Sequence, residues 1–248
     1  MYYFIWFTYV ILEGYKLKLM TFNIQHCFNY LNKKIDYEIL ALEIKKEDPD
    51  IVGLNEIYGE DDSCYYGNQV KKIAELTGYK YYYFAKAFNH INGPYGNAIL
   101  SKIPIIDSKT IVIREPKIKK NINGYYETRS LLVAKLENGI KVLVTHFGLN
   151  EDEIIKEINV LNNYIIDARC ILMGDFNISY ESQILAPLKE KLYDASKGFC
   201  QFDATFPSYN PKIKIDYIFV SKDITVNNSY ILKKIISDHF AHIAIIDI

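Results

Sequence analysis

The sequence predicts one α/β domain, and three observations predict it. Short apolar runs alternate with amphipathic helical stretches along the 248 residues. The polar candidates fall repeatedly where apolar runs end. No linker, low-complexity tract or fixed-period repeat interrupts this order. One domain with one site at its strand ends follows.

The elements read as follows. Lys16–Phe22 is a first core strand ending on Asn23-Ile24-Gln25-His26. Ile35–Asp48 has apolar residues at 35, 39, 42 and 44, a helix stopped by Pro49. Ile51–Leu54 is a buried strand ending on Asn55-Glu56, and Gln69–Thr77 a short helix closed by Gly78. Lys80–Phe88 is a strand, Asn89–Gly96 a turn-rich loop, and Asn97–Ser101 a further strand. A weaker strand spans Ile105–Ile113, followed by a lysine- and asparagine-rich loop at Pro116–Gly124. Asn138-Gly139 marks a hairpin between Ser130–Leu136 and Ile140–Thr145, which delivers His146. Asn150 and Glu153 form a capping box for a helix whose buried stripe is Ile154, Ile158, Leu161 and Ile165.

Cys170-Ile171-Leu172-Met173 then reads as a strand buried on both faces, which turns at Gly174. Asp175 and Asn177 emerge beyond it. A carboxylate and a carboxamide at a strand end can orient a water and hold a substrate oxygen, as metal-assisted hydrolysis requires. A short helix near Ser182–Lys189 leads into a loop reaching Thr205. Ile215–Val220 is a strand, and Asp216 within it demands a partner for a buried acid. Ile224–Ile231 is expected to pair beside that strand, and Phe240–Ile248 is the last one, entered through Ser237-Asp238-His239.

Composition narrows the class. Lys and Arg number 29 against 30 Asp and Glu, so no global basic excess draws the chain onto nucleic acid. The four cysteines show neither a CxxC pair nor zinc spacing, and all read as reduced and structural. The 22 tyrosines would suit base stacking, but Tyr, Ile, Lys and Asn share AT-rich codons, which accounts for them more simply. Tyr2–Leu12 is apolar and aromatic, too short to span a membrane, and lacks a basic flank and a cleavage site. Residues 1–16 are therefore expected to be a non-native or loosely attached extension, with translation starting near Leu17 and the domain occupying 17–248. A cytoplasmic monomer without stable membrane insertion is expected.

Seven blocks occur in order: Thr21-Phe22-Asn23, Asn55-Glu56, Tyr95-Gly96-Asn97-Ala98-Ile99-Leu100-Ser101, Val144-Thr145-His146, Gly174-Asp175-Phe176-Asn177, Ile215-Asp216-Tyr217 and Ser237-Asp238-His239. Together they resemble the signature of the endonuclease/exonuclease/phosphatase superfamily. The resemblance implies a four-layer α/β sandwich, two packed mixed β-sheets flanked by helices, and divalent-metal-dependent cleavage of phosphate esters. It implies Glu56 as principal metal ligand with Asn23 beside it and Asp238 on the metal side. Mg²⁺ suits this oxygen set, with Mn²⁺ as an alternative. Asp175 would orient or deprotonate the attacking water, and Asn177 would steady it. His239 and His146 would donate to phosphate oxygens, Asp216 would fix His239, and Arg129 and Asn97 would contact substrate. Gln25 stands where some nucleases of the family carry a further metal-site acid, which leaves one metal or two open.

The blocks of the exonuclease-III-type repair enzymes (Asn-x-Asn-Gly) and of inositol 5-phosphatases (Trp-Cys-Asp-Arg) are missing. Acids that match bases over the chain, and the lack of long insertions between the predicted elements, make a small-molecule or lipid phosphoester the expected substrate. A metal-dependent endo- or exonuclease is the alternative, and an inactive binding protein of the same fold the lesser one.

Overall fold

Alternation along the strands decides what faces what. The computed structural model describes residues 15–60 and 65–248. The chain begins with β1 (Lys16–Asn23), a ribbon of β2 (Phe28–Asn29) and β3 (Lys34–Ile35), helix α1 (Tyr37–Glu47) and β4 (Ile51–Tyr58). Then come α2 (Gln69–Thr77), β5 (Tyr81–His90), β6 (Gly93–Ser101), β7 (Ile105–Ile113), β8 (Arg129–Leu136), β9 (Lys141–His146) and α3 (Glu151–Leu161). The remainder is β10 (Cys170–Asp175), α4 (Ala186–Lys191), β11 (Leu192–Asp194), β12 (Asp216–Ser221), β13 (Thr225–Leu232) and β14 (Ala241–Asp247). The expectations for residues 1–14 and for Cys64 lie outside the described residues.

Two six-stranded sheets form, ordered β13-β14-β1-β4-β6-β5 and β11-β12-β10-β9-β8-β7. Both are mixed. One parallel pair, β1 with β4 and β9 with β10, lies inside each, and the other pairings are antiparallel. Each parallel pair needs a crossover, and α1 and α3 supply it. Both crossovers end their strands at the same edge of the sandwich, which is where the site assembles.

The inner faces meet through Leu19, Ile51 and Ile99 on one side and Val144, Met173 and Ile218 on the other. The outer faces lie under helices: Phe22, Val52 and Leu100 pack with Leu40 and Ile73, and Leu143, Leu172 and Phe219 pack with Ile154, Ile158 and Leu188. That is the four-layer α/β sandwich the sequence predicts. Cutting a side chain such as Ile171 back to Ala would cost about 2–5 kcal/mol, because so dense an interior relaxes little.

Helix ends follow the sequence signals. The Asp36 side chain caps α1 by accepting from Ile39 N at 3.1 Å. Asn68 does the same for α2, which Gly78 closes at φ +84. Glu153 reaches back to the Asn150 N–H at 3.3 Å. Cys27, Cys170 and Cys200 are buried and unbridged.

Four expectations change. Asn89–Gly96 is not a loop: β5 and β6 continue to His90 and Gly93, joined at Ile91-Asn92. Pro94 is tolerated because it lies past the last β4–β6 pair, Tyr58 with Tyr95, where no ladder N–H is needed from it. Thr225–Leu232 does not pair beside β12, because both of that strand's edges are taken, by β10 and by β11. It crosses instead to β14 in the other sheet. The stretch read as loop before Thr205 thus contains the short edge strand β11. Gly174 is not a turn either. It sits inside β10 at φ +148, and a Cβ there would lie 1.8 Å from Thr145 O. Only glycine lets β10 approach β9 that closely.

Candidate active site

Along the inner faces the alternation changes character near one end. Ile171 and Met173 are followed two residues on by Asp175, Val142 and Val144 by His146, and Ile51 and Gly53 by Asn55. On β12, which runs the opposite way, Val220 and Ile218 are preceded by Asp216. The same side-chain period that builds the apolar core therefore places these polar groups on one floor.

Two residues reach that floor by breaking the period. Glu56 follows Asn55 and would face the helices, but the β4–β6 register shifts between Leu54 and Ile57, and Glu56 adopts φ +57. The bulge turns its carboxylate into the cleft. Asn177 does likewise at φ +50, just past the end of β10. Left-handed backbone at two non-glycine residues is a local cost retained at the site.

Asp175 Oδ2 is the hub. It accepts from Asn23 Nδ2 at 3.0 Å, and the Nε2 atoms of His146 and His239 each lie 3.6 Å from it. Its other oxygen accepts from Asn177 N at 2.9 Å. Burial raises the Asp175 carboxyl, with Asp216 adding to the effect and His239 opposing it.

The two imidazoles differ in charge, one cationic and one neutral. His239 Nδ1 donates to Asp216 Oδ2 at 2.9 Å, and although burial opposes it, Asp216 and Asp175 hold the ring well above its usual range, as an imidazolium. His146 is held well below that range, by burial first, then by Arg129 and His239. Arg129 Nη1 donates to His146 Nδ1 at 3.2 Å, so the neutral ring carries its proton on Nε2, toward Asp175. Arg129 is itself held by Glu127 at 2.8 Å.

Glu56 accepts from Asn23 Nδ2 at 3.0 Å and from the Tyr95 hydroxyl at 3.0 Å. Asp238 accepts from Gln25 Nε2 at 3.1 Å, and its carboxyl is raised by burial and by the negative charge of Glu56, against the pull of His239. Two carboxylates that repel each other across a cleft suit a divalent cation, whose charge would remove the repulsion. Asp175, Asp216 and His239 also bring potential ligand atoms within 4.8 Å of one another. Within that trio His239 Nδ1 is spent on Asp216 at 2.9 Å, whereas the Glu56 and Asp238 carboxylates face the cleft, so the Glu56–Asp238 side would fit a divalent cation.

Of the ten residues expected from sequence, seven line one cleft of about 320 Å³: Glu56, Arg129, His146, Asp175, Asn177, Asp238 and His239. Three stand behind it. Asp216 is buried under His239, and Asn23 bridges Glu56 to Asp175 with its amide nitrogen. Asn97 commits its carboxamide to Asn55 and Ser130 and borders a smaller recess beside Arg129.

Residues without an expected role also matter. Asn55 accepts from Asp175 N at 2.9 Å and donates to Thr145 O and Asn97 Oδ1, each at 2.8 Å, stitching the two sheets beneath the site. The Phe206 ring lies 4.7 Å from that of His239. Thr205 Oγ1 accepts from Asp216 N at 3.3 Å. Asn55 had a signal, an amide ending a buried strand; Phe206 and Thr205 come from a long connection with none.

A buried acid beneath the His146 turn yields a stability prediction. Glu157 accepts from Gly148 N at 2.9 Å, and its carboxyl is pushed up to about 7, by burial first, with Gly148 and Arg129 opposing. Between its ordinary value of 4.5 and about 7 the folded chain holds a proton that the unfolded chain has lost. Stability therefore falls as pH rises through that window. Glu157→Gln keeps an acceptor for Gly148 without the charge. Its stability should match the parent near pH 4.5 and exceed it at pH 8 by up to about 3 kcal/mol. Denaturant titrations at the two pH values check this, and equal differences at both would refute it.

Two face-to-face mixed sheets, helices outside, and a strand-end cleft of carboxylates, imidazoles and an arginine define an α/β sandwich of the hydrolase kind. The chain belongs to the endonuclease/exonuclease/phosphatase family, whose model matches residues 20–239. Members of this family hydrolyse phosphate esters. No curated protein matches the chain. Among solved structures, an endonuclease/exonuclease/phosphatase from Beutenbergia cavernae DSM 12333 is 21% identical with a TM-score of 0.77, covering 94% of this chain and 72% of that one. A family protein from Bacteroides thetaiotaomicron is 16% identical with a TM-score of 0.76, covering 95% and 98%. A mannosyl-6-phosphatase from Bacteroides thetaiotaomicron VPI-5482 is 18% identical with a TM-score of 0.74, covering 93% and 99%. Likeness at these identities is likeness of fold. No helix among the described residues is long and apolar enough to cross a membrane.

Proposed function

We propose that this protein is a Mg²⁺-dependent hydrolase that cleaves a small-molecule or lipid phosphoester by in-line attack of a water. The observation that carries the reading is the pair of Nε2 atoms, one on a neutral ring and one on an imidazolium, each 3.6 Å from the same Asp175 oxygen. One carboxylate beside two donors can take a proton from water while the donors hold the oxygens on which charge grows. Asn177 spends its amide nitrogen on Phe147 O at 2.8 Å, which leaves its oxygen to orient the water. The water proton passes to Asp175 as the new phosphorus–oxygen bond forms and the ester phosphorus–oxygen bond opposite it breaks, its electron pair leaving on the alcohol oxygen, which takes a proton from solvent. His146, His239 and Arg129 donate to the non-bridging oxygens, and Asp216 keeps His239 charged and aimed. Glu56 and Asp238, with Asn23 bracing Glu56, would hold the metal. Bound there, the ion would neutralise a phosphate oxygen and polarise the phosphorus.

Acids match bases over the chain, so the counterion release that drives duplex binding has little to act on. Bis(4-nitrophenyl) phosphate, a generic aryl phosphodiester, should be hydrolysed with Mg²⁺ and not with EDTA. In a panel at equal Mg²⁺ and low salt, plasmid DNA should be cut more slowly than phospholipid or small phosphoesters. Plasmid cut fastest, with a steep loss of rate as salt rises, would make this a nuclease. No turnover on any substrate, with or without EDTA, would reduce it to a binding protein, and turnover that EDTA leaves untouched would remove the metal from the reading.

Glu56→Gln should weaken metal affinity more than it slows chemistry. Its rate at low Mg²⁺ should fall about 10-fold or more and recover partly at high Mg²⁺, because an amide oxygen still ligates but carries no charge. A rate that does not depend on added Mg²⁺ would remove Glu56 from the metal site.

A further inference from the structure

Among the described residues, five large apolar side chains are more than four-fifths exposed: Tyr65, Ile91, Ile118, Ile122 and Phe202. Single exposed apolar residues are common on soluble proteins and mean nothing by themselves. The bias here is in their placement. All five sit on connections at the catalytic end of the sandwich: β4 to α2, β5 to β6, β7 to β8, and β11 to β12. The connections at the opposite end, such as 48–50, 102–104, 137–140 and 222–224, carry no large apolar side chain so exposed. Four separate loops thus carry apolar tips at the end of the sandwich where the cleft opens. Tyr125 and Leu149, also exposed, line that cleft and join the Ile118–Ile122 tip to it.

Charge accompanies the largest tip. The loop at 114–128 holds Arg114, Lys117, Lys119 and Lys120 against Glu115 and Glu127. Both acids are matched, Glu115 by Lys119 and Glu127 by Arg129. Lys117 and Lys120 flank Ile118 and make no ion pair among the described residues. Isolated apolar tips set among lysines, on loops rather than on a flat continuous face, match an interface that is apolar just beneath an anionic surface.

We propose that this set of loops seats the cleft on an anionic phospholipid surface, so that a membrane-borne phosphoester enters it without leaving the bilayer. The inference rests on the hydrolase reading above and narrows its substrate to a lipid class. Contact is peripheral and reversible: side chains enter the headgroup region, and no segment spans it.

The test is co-sedimentation of the full chain with vesicles of phosphatidylcholine alone and of phosphatidylcholine with phosphatidylglycerol. The chain should bind the mixed vesicles better, and added salt should release it. Ile118→Asp/Ile122→Asp should weaken vesicle binding at least ~10-fold, since each tip loses the burial of a large apolar side chain. Lys117→Gln and Lys120→Gln should each weaken it about 5-fold on the mixed vesicles. Ile106→Asp, at an exposed site on β7, should bind as the parent does. All of these variants should hydrolyse soluble bis(4-nitrophenyl) phosphate at the parent rate, which shows that they are folded with the site intact.

A parent chain that binds neither vesicle overturns the proposal, as does Ile118→Asp/Ile122→Asp binding like the parent. So does a chain that ignores vesicles but retards a labelled single-stranded oligonucleotide and loses that retardation in the double variant, which would assign the loops to nucleic acid. Vesicle binding that follows these variants, in a parent inactive on the soluble diester, upholds the docking face and removes the hydrolase reading instead.

Discussion

His239→Ala is expected to lower turnover at least ~10²-fold and to destabilise the fold as well. The rate effect follows from removing an imidazolium that faces Asp175 at 3.6 Å, where charge develops on the substrate. The stability effect has a separate origin. Asp216 is fully buried, its Oδ1 has no hydrogen-bond partner, and its Oδ2 is satisfied by His239 Nδ1 at 2.9 Å. Removing the ring strands a buried carboxylate, which costs about 3–5 kcal/mol when one partner of a buried pair is lost. Asp216→Asn/His239→Ala should recover part of that stability, because no charge is left behind, and none of the rate. Thermal melts and steady-state rates on the three proteins separate the two effects. Parent-like activity in His239→Ala would sink the assignment of the site.

Asp175→Asn should cost about 10²–10⁴ in turnover, the scale of a lost general base. The fold should survive, because the remaining amide oxygen can still accept from Asn177 N, now held at 2.9 Å by Oδ1. Excess Mg²⁺ should not restore the rate, in contrast to Glu56→Gln, because proton acceptance is lost and no charge is missing from the metal side. Two donors at 3.6 Å would then face an amide that itself donates, so phosphate affinity should change less than turnover. Activity above one tenth of the parent would show that another group activates the water, and Asp238 would become the candidate.

Most of this could be read from the chain because the strands obey a period of two. Ile171, Met173 and Asp175 share a face, as do Val142, Val144 and His146, so naming the buried strand also names the residue at its end. Helix boundaries were equally local, since Asp36, Asn68, Gly78 and Glu153 act on backbone groups within four residues of themselves. Where turn chemistry misled, pairing across the sheet had overridden it. Pro94 and Gly174 look like breakers, yet one lies past a neighbour's end and the other permits a backbone approach that a Cβ would block.

The order of residues already held the set: an α/β chain, its strands, and the polar residues that end them. Packing of the two sheets set how those residues are aimed and charged. Alternation alone would turn Glu56 toward the helices, and only the bulge against β6 brings it into the cleft. Nothing near His146 or His239 in sequence says that one is neutral and the other charged. Arg129 reaches the first from β8, and Asp216 reaches the second across 23 residues. Protonation depends on burial and on charges brought together by folding, and neither is a property of a residue's neighbours along the chain.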